Sequence, residues 1–204
     1  MTPAARGIAL AALASVLGSL ALWRATDGFT AFTAESARRV EILRAPRPLP
    51  AAGLEDQDGR RFGLQDYRGR LLAVEFIYTR CSTICRTLGT AFRQIRDRVP
   101  PQALGREFAL LSISFDTEGD DAERLKTYGA AHGADGESWR IARVYNAAEL
   151  KPLLDAFGIV VIPDGLGGFE HNAAIHLLGR DGRLALISDI NEPLPFAARI
   201  AQWL

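Results

Sequence analysis

The chain places its two cysteines at the junction between an apolar strand and an amphipathic helix. Residues 71–92 read LLAVEFIYTRCSTICRTLGTAF. The first part is a nearly continuous apolar run of β-forming side chains, which is typical of a central strand covered on both faces. The apolar residues then change to helical spacing, with Ser82 and Thr83 as candidate helix N-caps. This stretch predicts a strand–helix unit with Cys81 at the strand end and Cys85 in or near the first helical turn.

Cys81 and Cys85 are the only cysteines among 204 residues, and they lie four positions apart. Backbone N–H groups at a helix start favour the thiolate, typically by about 0.3–1 kcal/mol. Two thiolates on one helical face suit Cu(I) or zinc, or they can close a small disulfide ring. Cysteines outside disulfides are most often small buried hydrophobes, but this pairing favours a functional site. We therefore expect at least one thiol pKa below its ordinary value.

The overall charge excludes one class of partner. The chain has 24 basic and 24 acidic side chains, so its formal net charge is zero. A nucleic-acid-binding domain usually shows a basic patch or a strongly basic balance, and neither is present in this sequence. We expect no nucleic-acid partner.

An uncharged segment lies near the N terminus. Residues 7–23 (GIALAALASVLGSLALW) are flanked by Arg6 and Arg24, and they barely span a hydrocarbon core of about 30 Å. The segment is interpreted as a cleaved signal peptide, an uncleaved anchor or a buried core helix. The lack of a sharp cleavage site favours the anchor, and Trp23 suits a membrane interface. Arg6 favours a cytoplasmic N terminus, which predicts an inner-membrane anchor and a periplasmic body in an oxidising compartment.

The remaining patterns predict one domain behind a linker. We predict a signal anchor or signal peptide over residues 1–24, a linker over 25–49 that ends in the stiff APRPLP sequence, and a domain over 50–204. After the cysteine unit, strand and helix patterns alternate, and a hairpin and a last helix follow. This order predicts an α/β fold with a thioredoxin-like mixed sheet flanked by helices. The predicted strands cover residues 107–115, 139–144, 171–178 and 184–190, and the predicted helices cover 122–132, 147–157 and 194–204.

Only three histidines are available as further ligands. His132 follows a helix and is expected to face solvent. His176 lies inside an apolar strand, where a structural role is expected. His171 lies where a glycine-rich loop, DGLGGFE at residues 164–170, meets a strand start, and glycine gives that loop unusual backbone freedom.

At these motifs the sequence resembles a known family, the SCO/SenC copper-binding proteins of cytochrome oxidase assembly. The resemblance rests on FIYTRCSTIC at residues 76–85, SFDTEGD at 114–120, and HNAAIHL at 171–177. It extends from about residue 49 to the C terminus. The order of a Cys-x-x-x-Cys motif and a downstream histidine is more specific than any single piece.

The resemblance implies a membrane-anchored thioredoxin fold that binds copper through Cys81, Cys85 and His171. Asp116 and Asp120 match acidic positions near the family's site and are implied accessory residues. The chemistry of the residues agrees, because two thiolates and an imidazole can hold Cu(I) in a trigonal site. A structural zinc site needs a fourth ligand, which a carboxylate could supply.

The sequence departs from the family pattern at three prolines. Ser82 and Arg86 stand where prolines usually follow the two cysteines, and Thr117 stands in place of a loop proline. Arg86 beside the thiols favours thiolate and shifts the expected chemistry toward redox reactions. These departures affect the prediction of which protein receives the copper more than the prediction that Cys81, Cys85 and His171 bind it.

Two functions follow from this site. The first is a copper metallochaperone that delivers copper to the copper site of a respiratory oxidase or to another copper protein. The alternative is a thiol–disulfide oxidoreductase in which Cys81 and Cys85 reduce a copper protein's cysteines. His171 discriminates between them, because a reductase has no evident need of it.

Overall fold

The structure is a computed structural model that describes residues 2–81 and 84–204. Ser82 and Thr83, the predicted N-caps, lie outside the described residues. The chain forms two compact units, one ending at Ala45 and the other running from Pro46 to Leu204.

The N-terminal unit contains two helices. Helix α1 (Pro3–Ala25) follows an N-cap at Thr2, whose hydroxyl accepts a hydrogen bond from the Ala5 amide. Helix α2 (Ala34–Arg44) begins with a capping box in which Thr33 and Ser36 bond each other's backbone amides. Helix α1 is the one helix in the described residues that is long and apolar enough to cross a membrane, with a mean hydropathy of 1.8 and no buried residue. A signal sequence near an N terminus meets the same criteria of length and composition.

The second unit is built on a seven-stranded sheet and a separate two-stranded hairpin. The strands are Gly53–Asp56 (β1), Arg61–Gly63 (β2), Leu71–Ile77 (β3), Phe108–Ser114 (β4), Trp139–Val144 (β5), Val161–Pro163 (β6), Phe169–His171 (β7), Ile175–Leu178 (β8) and Leu184–Ser188 (β9). The large sheet has the order β2-β1-β5-β4-β3-β8-β9, with β3, β4 and β5 parallel and the outer pairings antiparallel. This confirms the predicted mixed sheet. Its helices are Ile84–Arg96 (α3), Ala122–His132 (α4), Ala147–Phe157 (α5) and Pro193–Trp203 (α6).

Strands β3 and β4 form the centre of the core. All seven residues of each strand are buried, as expected for apolar parallel strands covered on both faces. Phe76 on β3 packs edge-on against Phe157 of α5, with ring centroids 4.9 Å apart, and Phe92 of α3 packs against Trp139 of β5. Each such buried ring contributes about 1.5–3 kcal/mol of hydrophobic stabilisation. These contacts pack α5 and α3 against the sheet.

The prediction of one continuous strand over residues 171–178 was wrong. Strand β7 ends at His171 and pairs only with β6, whereas β8 begins at Ile175 and joins the large sheet. Asn172 lies between them, and its side chain accepts a hydrogen bond from the Val160 amide and donates one to the Gly158 carbonyl. His171 therefore lies on a hairpin that is separate from the main sheet.

Candidate metal centre

The two cysteines lie at the junction of β3 and α3. Cys85 is in the first turn of α3, as the sequence predicted, and its amide donates a hydrogen bond to Cys81 Sγ at 3.3 Å. Both are thiols in the structure, and both are buried, Cys81 with 7% of its surface exposed and Cys85 with none. The Tyr128 hydroxyl on α4 donates to the Cys85 carbonyl and fixes the start of α3.

His171 reaches this pair from the β6–β7 hairpin. Its Nε2 lies 3.7 Å from Cys85 Sγ, and its Nδ1 lies 3.0 Å from the Asn172 carbonyl oxygen. A carbonyl can only accept, so Nδ1 carries the proton and the lone pair of Nε2 faces the thiol. Metal–thiolate and metal–imidazole bonds of about 2.3 and 2.0 Å that meet at about 120° place sulfur and nitrogen roughly 3.7 Å apart. The spacing of Cys85 and His171 fits a shared metal ion.

Burial controls the protonation of these groups. It raises the pKa of the Cys85 thiol, and the neighbouring Cys81 raises it further. The helix-start position therefore does not produce the expected depressed thiol pKa at Cys85, because desolvation outweighs the dipole. Burial lowers the pKa of His171, which keeps the imidazole neutral and able to bind a metal. A soft cation would compensate the charge of a buried thiolate.

Asp116 and Asp120 already have protein partners. Asp116 bonds the Arg80 guanidinium at 2.8 Å and the Gly119 amide at 2.8 Å. Asp120, 1% exposed, accepts hydrogen bonds from the amide and hydroxyl of Thr79 and from the Ser114 hydroxyl. These bonds join the end of β3 to the loop after β4. Either carboxylate would have to give up a protein partner to bind a metal.

No complete metal site is preformed in the part of the chain that the structure describes. Within residues 2–81 and 84–204, no three histidine, cysteine or acidic side chains are already arranged to hold an ion. The three predicted ligands are nevertheless close, since Cys85 contacts both of the others.

The sequence reasoning missed an aromatic shell around His171. The His171 ring lies 5.0 Å from the Phe115 ring and 6.3 Å from the Tyr78 ring, centroid to centroid, and Phe169 packs against both aromatic rings. Tyr78 and Phe115 directly follow the parallel strands β3 and β4. Carboxyl ends of adjacent parallel strands meet at one sheet edge, and this was the signal that could have identified them.

A groove gives access to Cys81. Its volume is about 830 Å³, and Cys81, Arg86, Tyr128 and His132 are among the residues that line it. His132 is half-buried and packs against Tyr128 with ring centroids 4.5 Å apart and the rings tilted by 45°, so the expectation that it faces solvent was only partly right. His176 is fully buried against Phe76, in agreement with a structural role. His171 contacts a cysteine directly, through Nε2 and the Cys85 sulfur.

Fold and site together define a thioredoxin-like domain with a thiol pair at a strand–helix junction and a histidine presented by a separate hairpin. The sequence model of the SCO1/SenC family matches residues 53–204. The chain belongs to the SCO1/SenC family, and the fold class predicted from the sequence is confirmed.

One relative and two solved structures with Sco descriptions are similar to this chain. The SCO1 protein homolog of Bacillus subtilis is 26% identical over 132 residues, which cover 64% of this chain and 67% of the relative. The structure of Bradyrhizobium japonicum ScoI with copper bound superposes with a TM-score of 0.65 at 22% identity, covering 76% of this chain and 98% of ScoI. The structure of BsSco, described as having a disulfide switch and as a member of the Sco family of cytochrome c oxidase assembly proteins, superposes with a TM-score of 0.66 at 22% identity, covering 78% and 92%.

Proposed function

We propose that this chain is a copper metallochaperone that binds copper through Cys81, Cys85 and His171 and delivers it to a respiratory oxidase copper site. The observation that carries the proposal is the 3.7 Å contact between Cys85 Sγ and His171 Nε2. These two residues are 86 positions apart in the sequence, and Cys81 Sγ lies next to Cys85. Copper bound to the related ScoI supports the choice of metal.

The donor set favours Cu(I) over zinc. Thiolates are soft ligands that select Cu(I), and two thiolates with one imidazole complete a trigonal site. A structural zinc ion takes four ligands. Asp116 and Asp120, the acidic residues considered as a fourth ligand, are hydrogen-bonded to protein groups on all four carboxylate oxygens.

Delivery requires an incoming ligand from the partner to reach the metal. Cys85 is fully buried, whereas Cys81 borders the 830 Å³ groove. Copper would therefore leave by exchange first at Cys81, where a partner's thiol or imidazole can approach. The Cys85 and His171 ligands would hold the ion until that exchange has begun.

Copper titration tests the ligand set. The full chain, purified in detergent and reduced without oxygen, is titrated with Cu(I) against a competing chelator. We expect one copper ion per chain, because both cysteines of the sequence lie at one site, and we expect high-affinity binding to be lost in Cys81→Ser and in Cys85→Ser. Equal copper binding by the Cys81→Ser/Cys85→Ser double variant and the parent would contradict the proposal.

Thiol–disulfide exchange is the second candidate function. The Cys81 thiolate would attack a partner disulfide and release one partner thiolate, and Cys85 sulfur would then attack the mixed disulfide. The partner becomes a dithiol and a Cys81–Cys85 disulfide forms. An external thiol reductant must then reduce that disulfide to return Cys81 and Cys85 to thiols. The 3.3 Å contact of the Cys85 amide with Cys81 Sγ places the two residues close enough for this reaction. The raised pKa of Cys85 opposes it, since the thiolate is the attacking form.

We also propose that α1 anchors the protein in the inner membrane with the domain on the periplasmic side. The proposed divisions are an anchor or signal peptide at residues 1–24, a linker at 25–49 and the domain at 50–204. Helix α1 has the required length and hydropathy, and Arg6 precedes its apolar part. A related structure is described as a SCO1/SenC family lipoprotein, a type of protein attached to membranes.

Fractionation and protease access test this topology. The full chain should sediment with membranes, and protease added to spheroplasts should digest the domain without lysis. Replacing Leu13 and Leu17 of α1 by Asp should release the protein from the membrane or block its export, because charges are costly in a spanning helix. A parent protein found in the cytosolic fraction would contradict the topology.

A further inference from the structure

Tyr78 connects the two parts of the candidate metal centre. It follows the last residue of β3, is 8% exposed, and accepts a hydrogen bond on its carbonyl from the Cys81 amide at 3.2 Å. Its hydroxyl donates to the Phe169 carbonyl at 3.2 Å and accepts from the Phe169 amide at 3.4 Å. One residue thus contacts the cysteine turn through its backbone and the histidine hairpin through its side chain.

The hairpin needs such a connection. Strands β6 and β7 pair with each other and are not hydrogen-bonded into the seven-stranded sheet. At the base of the hairpin, Asn172 bonds Val160 and Gly158. Toward the glycine-rich tip, the Tyr78 hydroxyl lies against the β7 backbone, and a Cβ placed on Gly168 would come within 3.3 Å of it.

The geometry links this contact to His171. Phe169 and His171 are two residues apart on β7, so their side chains point to the same face of the strand. The Phe169 ring lies 5.3 Å from the Tyr78 ring, and the His171 ring lies 6.3 Å from it, both edge-on. A shift of β7 at Phe169 would therefore move His171 relative to Cys85.

We propose that Tyr78 is a positioning residue whose hydroxyl docks the β6–β7 hairpin and holds His171 within coordinating distance of the two thiols. The proposal rests on the proposed copper function, because the consequence of docking is the strength of the His171–metal bond. Tyr78 itself does not bind the metal. The hydroxyl sets how readily the histidine ligand comes off, and with it how firmly copper is retained before transfer.

The test is a double-mutant cycle on the full chain in detergent. Tyr78→Phe removes only the hydroxyl and should weaken Cu(I) binding roughly three- to tenfold, the scale of one or two neutral hydrogen bonds. The same change in a His171→Ala background should have no further effect, because the ligand that Tyr78 positions is gone. Tyr145→Phe is the matched control, since Tyr145 is half-exposed and stacks under Arg61 of β2, four strands from β3 in the sheet order, and it should leave the affinity unchanged.

Two results would overturn the proposal. One is a Tyr78→Phe protein with parental copper affinity. The other is an equal loss of affinity with and without His171, which would mean that the hydroxyl acts on general stability. A Cβ on Gly168 would meet the Asp164 carboxylate at 2.6 Å as well as this hydroxyl at 3.3 Å. Gly168→Ala should therefore also displace the hairpin and weaken binding in the same direction, so poor folding of one variant does not remove the test.

A measurement without metal separates this proposal from the copper function. In the metal-free protein, Tyr78→Phe should accelerate hydrogen exchange of the Phe169 amide, which donates to that hydroxyl. Unchanged exchange would refute hairpin docking whether or not the parent binds copper. If Tyr78→Phe exchanges faster but the parent binds no copper, the result would support docking and refute the metallochaperone function instead.

Discussion

His171→Ala should lower the affinity for Cu(I) by more than 100-fold while leaving Cys81 and Cys85 able to form and break a disulfide. Loss of a partner that only orients a ligand costs about 10–100-fold in metal affinity, and His171 is proposed as a ligand itself. Its Nε2 faces Cys85 Sγ at 3.7 Å. Chelator competition measures the affinity, and alkylation with mass analysis counts the thiols before and after oxidation.

The same variant separates the two candidate functions. A reductase uses sulfur chemistry alone, so His171→Ala should reduce a model disulfide at the parental rate if reduction is the function, whereas Cys81→Ser should lose that activity. His132→Ala is the matched control, because His132 lines the same groove as Cys81 but its ring packs against Tyr128. Parental copper binding by His171→Ala would remove this residue from the ligand set and place the reductase function first.

The sequence predicted the parts of the site that depend on local pattern. The apolar run before Cys81 became β3, with every residue buried, and Cys85 lies in the first turn of α3. Helix α4 has the bounds that its caps indicate, because Asp121 accepts from the Arg124 amide and Gly133 ends the helix in the left-handed conformation at φ 84°. Periodicity and capping depend on residues that are close together in the sequence, so a single sequence shows them.

The features that the sequence did not predict depend on contacts between distant parts of the chain. The strand expected through His171 is interrupted after that residue, where Asn172 bonds Val160 and Gly158, more than ten residues earlier. The thiolate expected at the helix start is opposed by burial at Cys85, and burial depends on how the sheet and helices pack. Neither effect leaves a local pattern, although the resemblance to the SCO/SenC family had already indicated His171.

A buried acid behind the cysteines was also missed, since Glu75 looks like one polar interruption in an apolar strand. It lies in β3 with no exposed surface, and its Oε1 accepts a hydrogen bond from the Ser112 hydroxyl on β4. Its Oε2 has no hydrogen-bond partner among the described residues. Burial raises the pKa of Glu75 to about 8, although the Ser112 hydrogen bond lowers it in part. The folded protein therefore holds this carboxyl protonated at neutral pH.

This protonation predicts a large pH dependence of stability. Between the ordinary glutamate pKa of 4.5 and the folded value of about 8, the unfolded chain has released the proton and the folded chain has not. The unfolded state then binds fewer protons, so the free energy of unfolding falls as pH rises, by about 1.4 kcal/mol per pH unit from this group alone. The contribution of protonated Glu75 to the free energy of unfolding is fully present below pH 4.5, and it is lost as pH approaches and passes 8.

Glu75→Gln should remove that dependence, because the amide keeps the shape and neutrality of the protonated acid at every pH. Relative to the parent, the variant should gain roughly 4 kcal/mol of unfolding free energy between pH 4.5 and pH 8. Urea unfolding of the reduced, metal-free unit from Pro46 to Leu204 measures it, and Glu118→Gln is the control, since Glu118 is exposed. Parallel pH profiles for Glu75→Gln and the parent would mean that Glu75 is ionised in the folded protein. The core behind the cysteines would then have to accommodate a negative charge, and that charge would oppose formation of the thiolates that copper needs.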